Sequence, residues 1–289
     1  MNLLICDVDN TLFDWNAYYA SSFRAMVHVA SRELAVPEDL IYEQLKEVHQ
    51  RYQSIEYTYS LQELPVVQSL EVPRLREVLD ASIGAFNSVK RRRLRPFPDV
   101  RPTLEWVALQ QYTIVAVSNA PMHQAYRRIE RLGLRRYFDG LVCWEGWKAK
   151  SREDPLVGHR MGGELEIKLP WHKPLRQHEL KPSAVPYQSV LDHYGLHGGS
   201  LWVVGDSLSS DIAPAGTLGI RTIWARYGSL AREKDIETLL RVTDWSDSQV
   251  RALRAAGEVI PDFAIDSFSG LREVLPESQP SLFGALDQP

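Results

Sequence analysis

The sequence predicts an α/β fold built on a parallel sheet, and three observations predict it. Short apolar runs rich in branched residues recur along the chain. From Val100 onward they alternate with stretches of helical period, the pattern of successive βαβ units. Polar or acidic residues follow several of these runs at once, as expected where ligand sites lie at the carboxyl ends of parallel strands.

The first predicted strand is Leu3-Leu4-Ile5-Cys6, which delivers Asp7 and Asp9 and then the hydroxyl of Thr11. Residues two apart in an extended chain share a face, so the two acids either continue side by side or splay into one cleft. A desolvated carboxylate beside a divalent cation can accept a phosphoryl group, while its neighbour carries protons. Two acids also end buried strands simply because the chain is leaving the core, and Asp-x-Asp alone does not choose between these readings.

A helical block follows. Residues 17–35 place Tyr18, Phe23, Met26, Val27, Ala30 and Leu34 at helical spacing, and residues 38–52 and 73–90 repeat the pattern. The block closes on the basic run Lys90–Arg95 before Pro96 and Pro98. That run reads as a solvated helix end favoured by the helix dipole rather than as a phosphate site.

Residues 100–110 then read as a helix, Tyr112–Val117 as a strand, 122–133 as a helix ending at Gly133, and Gly140–Cys143 as a strand. A helix is expected over 184–195, with strands at Leu201–Val204, Arg221–Trp224 and Phe263–Ile265. Residues 144–180, carrying Trp144, Trp147, Trp171, His172 and Lys173, are long for a connection and read as an insertion with a small hairpin around Glu164–Leu169. A second insertion, 229–258, has Ile236, Leu239, Leu240, Val250 and Leu253 spaced for one or two helices.

Composition excludes several classes. A net charge of −4 argues against a chain built to neutralise nucleic-acid phosphates. Cys6 and Cys143 have no metal-type spacing and point to no disulfide framework, and Cys6 reads as a small buried strand residue. No stretch approaches a membrane span, so a cytoplasmic protein with no membrane partner is expected. The sequence sets no expectation for oligomeric state.

Further chemistry collects at the other strand ends. Ser118 and Asn119 follow a strand and precede a helix, where they can hold a phosphate or merely cap the helix. Gly205-Asp206 and Asp211 put two more acids beside Asp7 and the carbonyl of Asp9, an oxygen-rich shell of the kind Mg²⁺ prefers. Direct ligation is expected of Asp206 more than of Asp211, which can instead hold its loop or a lysine. Lys181 precedes a predicted helix leading to the Asp206 strand, and Lys173 is its rival as the cation of the site.

Asp7-Val8-Asp9-Asn10-Thr11, Ser118-Asn119, Lys181-Pro182 and Gly205-Asp206 with Asp211 together resemble the haloacid dehalogenase superfamily. The resemblance implies a doubly wound, Rossmann-like core over residues 1–14 and 96–289 and a helical cap over 15–95. It implies Asp7 as nucleophile, Asp9 as general acid/base, Lys181 as charge stabiliser and Ser118, with Thr11 and Asn119, on the substrate. Mg²⁺ would be held at Asp7, Asp9, Asp206 and Asp211. Dehalogenases of this superfamily do not carry the second aspartate, so Asp9 favours phosphate chemistry. The expected function is a Mg²⁺-dependent phosphatase acting on a small phosphorylated metabolite. A phosphomutase, a phosphonate hydrolase and a silent scaffold are the alternatives.

Overall fold

The computed structural model describes residues 1–147, 166–195, 200–243 and 259–277. Seven strands form one sheet: β1 (Asn2–Asp7), β2 (Tyr112–Pro121), β3 (Gly140–Trp144), β4 (Trp171–Leu175), β5 (Leu201–Gly205), β6 (Arg221–Ala225) and β7 (Phe263–Ile265). Their order is β4-β3-β2-β1-β5-β6-β7, and every neighbouring pair is parallel. The chain runs outward from β1 to β4, then returns to the other side of β1 for β5 to β7. The reversal falls at β1, and a doubly wound sheet opens its ligand crevice at the carboxyl ends of the strands flanking such a point.

The central strands are apolar without alternation because both faces of the sheet are covered. Leu3 and Ile5 pack with Val115, Val117, Val203 and Tyr187 in one layer, whereas Leu4 and Cys6 pack with Ile114, Ala116, Val204 and Tyr18 in the other. Residues 15–93 hold α1 (Trp15–Leu34), α2 (Glu38–Tyr52), the short α3 (Pro65–Gln68) and α4 (Val72–Arg93), and no strand of the sheet. Asp14 starts α1 as its N-cap, its Oδ1 accepting from the Ala17 N–H at 2.7 Å. Next come α5 (Val100–Leu109), α6 (Met122–Arg131), α7 (Val185–Tyr194), the single-turn α8 (Ala213–Gly216) and α9 (Glu233–Val242).

The first of the two expected insertions differs from expectation, and the second carries a helix as expected. Within 144–180 the chain adds edge strand β4, with Lys173 in register with Val142. His172, Lys173 and Pro174 are exposed there, so an edge strand that tolerates proline carried neither alternation nor an apolar run to announce it. Residues 166–169 carry no strand; the rest of the expected hairpin lies outside the described residues.

In the second insertion, α9 packs across α1 and α2. Arg24 of α1 meets the buried Asp235 at 2.7 Å, Lys46 Nζ donates to the Leu240 carbonyl at 3.2 Å, and the buried His49 pairs its Nδ1 with the Val242 carbonyl. Val250 and Leu253 lie outside the described residues. Among the described residues, no helix is long and apolar enough to cross a membrane.

Candidate active site

Asp7 is the last residue of β1 and is buried. Its Oδ1 accepts from Lys181 Nζ at 2.6 Å, and the same ammonium donates to Asp211 Oδ1 at 2.7 Å. Asp7 Oδ2 is buried and has no hydrogen-bond partner. Burial pushes the Asp7 carboxyl up to about 7; Lys181 opposes the shift, and Asp211 and Asp9 add to it. Burial disfavours the Lys181 ammonium, but Asp211 and Asp7 overcome it and hold that pKa well above the ordinary lysine value.

The loop after β5 supplies the remaining acids. Asp211 Oδ2 accepts from the Ser207 N–H at 3.0 Å, and its Oδ1 also accepts from Tyr187 Oη at 3.1 Å. Asp211 therefore holds both its own loop and the lysine. A β-carbon on Gly205 would stand 2.4 Å from Asp211 Cγ, so only glycine lets the carboxylate lie against the strand end. Asp206 receives the Trp224 indole on its carbonyl at 2.9 Å, which leaves the carboxylate out of that contact. Asp7, Asp206 and Asp211 each offer an oxygen, and these atoms lie within 4.8 Å of one another. Three clustered hard oxygen donors against one buried ammonium fit a small divalent cation such as Mg²⁺.

Asp9 stands on a second network. Arg128 Nη1 donates to its Oδ1 at 2.7 Å and Ser118 Oγ to its Oδ2 at 2.9 Å. Its carboxylate is thus apart from the acidic cluster, and burial raises its pKa against the pull of Arg128. Arg128 also meets Glu56 Oε2 at 2.6 Å and donates to Tyr19 Oη at 2.7 Å, joining α6 to α1 and the segment after α2. Arg128 and Glu56 were not among the sequence candidates. The signal was present: Ala125, Ile129 and Leu132 form an apolar stripe, and Arg128 lies on it. A charge on a buried helical stripe calls for a partner.

Asn119 engages the backbone of Lys181 with its amide. Its Oδ1 accepts from the Lys181 N–H at 3.0 Å and its Nδ2 donates to the Lys181 carbonyl at 2.8 Å. Thr11 is fully buried; its carbonyl accepts from Tyr227 Oη at 2.7 Å and its hydroxyl has no partner. Of the two lysines, Lys181 reaches Asp7, whereas Lys173 is exposed on β4. Cys6 is buried beneath the site, its thiol 3.0 Å from the Asp7 carbonyl and pushed well up by burial.

Known proteins share this arrangement of elements. The chain aligns over 95% of its length with 97% of glyceraldehyde 3-phosphate phosphatase from Methanopyrus kandleri, at 23% identity. A HAD phosphatase from Thermococcus onnurineus superposes with a TM-score of 0.54 at 18% identity, covering 96% of this chain and 99% of that one. A 2-haloacid dehalogenase from Pseudomonas syringae does so with a TM-score of 0.50 at 21% identity, covering 95% and 97%. These superpositions concern the fold, which hosts more than one chemistry. The family model for haloacid dehalogenase-like hydrolases matches residues 1–145, and a second HAD-like hydrolase model matches residues 180–253. With half of its 289 residues under the first of these models, the chain belongs to the haloacid dehalogenase-like hydrolases.

Proposed function

We propose that the protein is a Mg²⁺-dependent phosphatase that hydrolyses a small phosphorylated metabolite through an aspartyl-phosphate on Asp7. The observation that carries this reading is the state of Asp7: one oxygen is held by Lys181 at 2.6 Å, and the other is buried and unpartnered. Such a carboxylate is oriented, desolvated and has a free electron pair for attack on phosphorus. The name of the Methanopyrus relative supports a phosphate ester as substrate.

Asp7, Asp206 and Asp211 would hold Mg²⁺, whose positive charge would offset that of the phosphoryl oxygens and of the acids themselves. Lys181 neutralises the attacking carboxylate and remains fixed between Asp7 and Asp211 as charge builds on the transferring group. Asp9, held by Arg128 and Ser118, gives its proton to the leaving oxygen and then takes one from the water that cleaves the acyl-phosphate. Residues 15–95 act as a cap over this crevice, restricting water and selecting the leaving group.

The test is phosphate release from an aryl phosphate with Mg²⁺ and with chelator. The chain should release phosphate only with Mg²⁺, and Asp7→Asn should abolish release while circular dichroism stays unchanged. Turnover retained in Asp7→Asn, or none by the unaltered chain across a panel of phosphate monoesters, overturns the reading.

A further inference from the structure

Beyond Asp9, the wall formed by α1, α4 and α6 is rich in cations. Lys90, expected from the sequence to be solvated, instead lays its ammonium over three aromatic rings, 5.1 Å from the centroids of Tyr18 and Tyr19 and 5.0 Å from that of Phe86. No hydrogen bond or ion pair joins it to an anion among the described residues. Arg128 covers the same two tyrosines from 5.9 and 5.4 Å. The carboxylates of this region, Asp9 and Glu56, are both taken by Arg128.

The guanidinium of Arg128 is itself incompletely used: its Nε–H is buried and has no acceptor. His123, at the start of α6, is pushed down to about 4 by burial and by Arg127, Arg128 and Lys90, and so stands neutral beside these cations. Burial, with Arg128 and Arg131 adding to it and Glu56 opposing, lowers Lys90 to about 7. Arg128 is balanced by Asp9 and Glu56, whereas the Lys90 ammonium has only ring faces for partners, and an ammonium partly screened from water gains from a directly paired anion. Asp9 is the proton carrier for the leaving oxygen, and Arg128 binds Asp9, so this cationic wall adjoins the leaving-group side of the crevice.

We propose that Lys90, beside the buried Arg128 network, forms a distal subsite for an anionic substituent on the leaving group, so that the substrate is a phosphate monoester bearing a second negatively charged group. The inference rests on the phosphatase reading for its orientation. The Tyr18 and Tyr19 rings give the subsite apolar walls, which strengthen a pairing between the ammonium and a carboxylate or second phosphate by excluding water. A neutral polyol phosphate would leave Lys90 without an anion.

The experiment separates binding from turnover. In an Asp7→Asn background, calorimetry measures the affinity for three sets of small phosphate monoesters matched in carbon number. One set carries a carboxylate, one a second phosphate and one only hydroxyls. Either or both anionic sets should bind more tightly than the neutral set by about tenfold or more, the scale of one hydrogen bond to a charged group. Which of them leads identifies the substituent. Lys90→Met should erase that preference and Lys90→Arg should restore it. Anion binding should also draw a proton onto Lys90 at pH 7.5, seen as a buffer-dependent heat that Lys90→Met lacks.

Equal affinity for charged and neutral sets, or a preference that survives Lys90→Met, overturns the subsite. Failure of the phosphatase reading shows separately, as absence of phosphate release by the unaltered chain. In that event an anion preference abolished by Lys90→Met still supports the subsite.

Discussion

Asn119 grips the main chain of Lys181 at both ends, accepting from its N–H at 3.0 Å and donating to its carbonyl at 2.8 Å. The two residues belong to different segments, the end of β2 and the loop before α7. Lys181 is thereby located by its backbone as well as by the two carboxylates on its ammonium. Asn119→Ala removes both bonds and should cost about 1–2 kcal/mol of positioning energy, a fall in kcat of roughly tenfold. Asn119→Asp keeps the acceptor but loses the donor and should fall between. Steady-state kinetics of the three proteins checks the order; equal kcat values would show that Asp7 and Asp211 alone fix the lysine.

Arg128 bridges Asp9 at 2.7 Å and Glu56 at 2.6 Å with almost no solvent contact. Arg128→Met leaves two inward-facing carboxylates uncompensated, and loss of one partner from a buried ion network costs about 3–5 kcal/mol. Chemical denaturation should show that loss, and Arg128→Met combined with Glu56→Gln should recover part of it. Arg128→Lys should behave more like the methionine variant than like the parent, because an ammonium cannot reproduce the two-pronged geometry. Additive losses in the double variant would show that Glu56 and Arg128 are not coupled.

The core and the acidic residues at its strand ends were legible because both express local rules. Leu3 to Cys6 is continuously apolar since a central parallel strand is covered on both faces, and Asp7 follows because the chain emerges there into a crevice. The arginine network was not legible as a site. Arg128 meets Asp9 across 119 positions and Glu56 across 72, and no spacing rule links those segments before the fold brings them together. Lys90 illustrates the same limit. In sequence it is one cation of a basic run, and only the approach of α1 turns it from a solvated helix end into an ammonium over Tyr18 and Tyr19. Strand β4 was hidden for a different reason: an edge position needs little apolar side chain, so its sequence satisfies the pairing without displaying it.

His49 links the helices of residues 15–93 to α9 and makes the fold sensitive to acid. It is fully buried against the Val242 carbonyl, and burial lowers its pKa to about 4 against an ordinary value of 6.5. The unfolded chain therefore binds a proton between these values that the folded chain refuses. Stability should be unaffected by this residue above pH 6.5 and should fall as pH drops toward 4, by about 3 kcal/mol over the interval. His49→Asn keeps an N–H donor near the Val242 carbonyl without a titrating ring, so its stability should decline less steeply across the same range. Denaturant midpoints at pH 7, 6, 5 and 4 make the comparison; parallel curves for the two proteins would remove His49 as the cause.

Asp206 should behave as a proton-gated metal ligand. Burial, followed by the nearby Asp7 and Asp211, pushes its carboxyl well above the usual range, so the metal-free fold holds a proton there more tightly than an ordinary carboxylate does. A divalent cation at the Asp7, Asp206 and Asp211 cluster must displace that proton, and its affinity should consequently rise with pH. Bound to the folded chain alone, Mg²⁺ at 100 times its Kd should stabilise by about 2.7 kcal/mol. Asp206→Asn has the shape of the protonated side chain but cannot ionise. It should leave the melting temperature in chelator close to that of the parent and abolish the upward shift produced by Mg²⁺. The parent's shift should be larger at pH 8 than at pH 6 at equal Mg²⁺ concentration. A pH-independent shift would mean that the cation binds without expelling a proton, and an undiminished shift in Asp206→Asn would place the cation elsewhere in the chain.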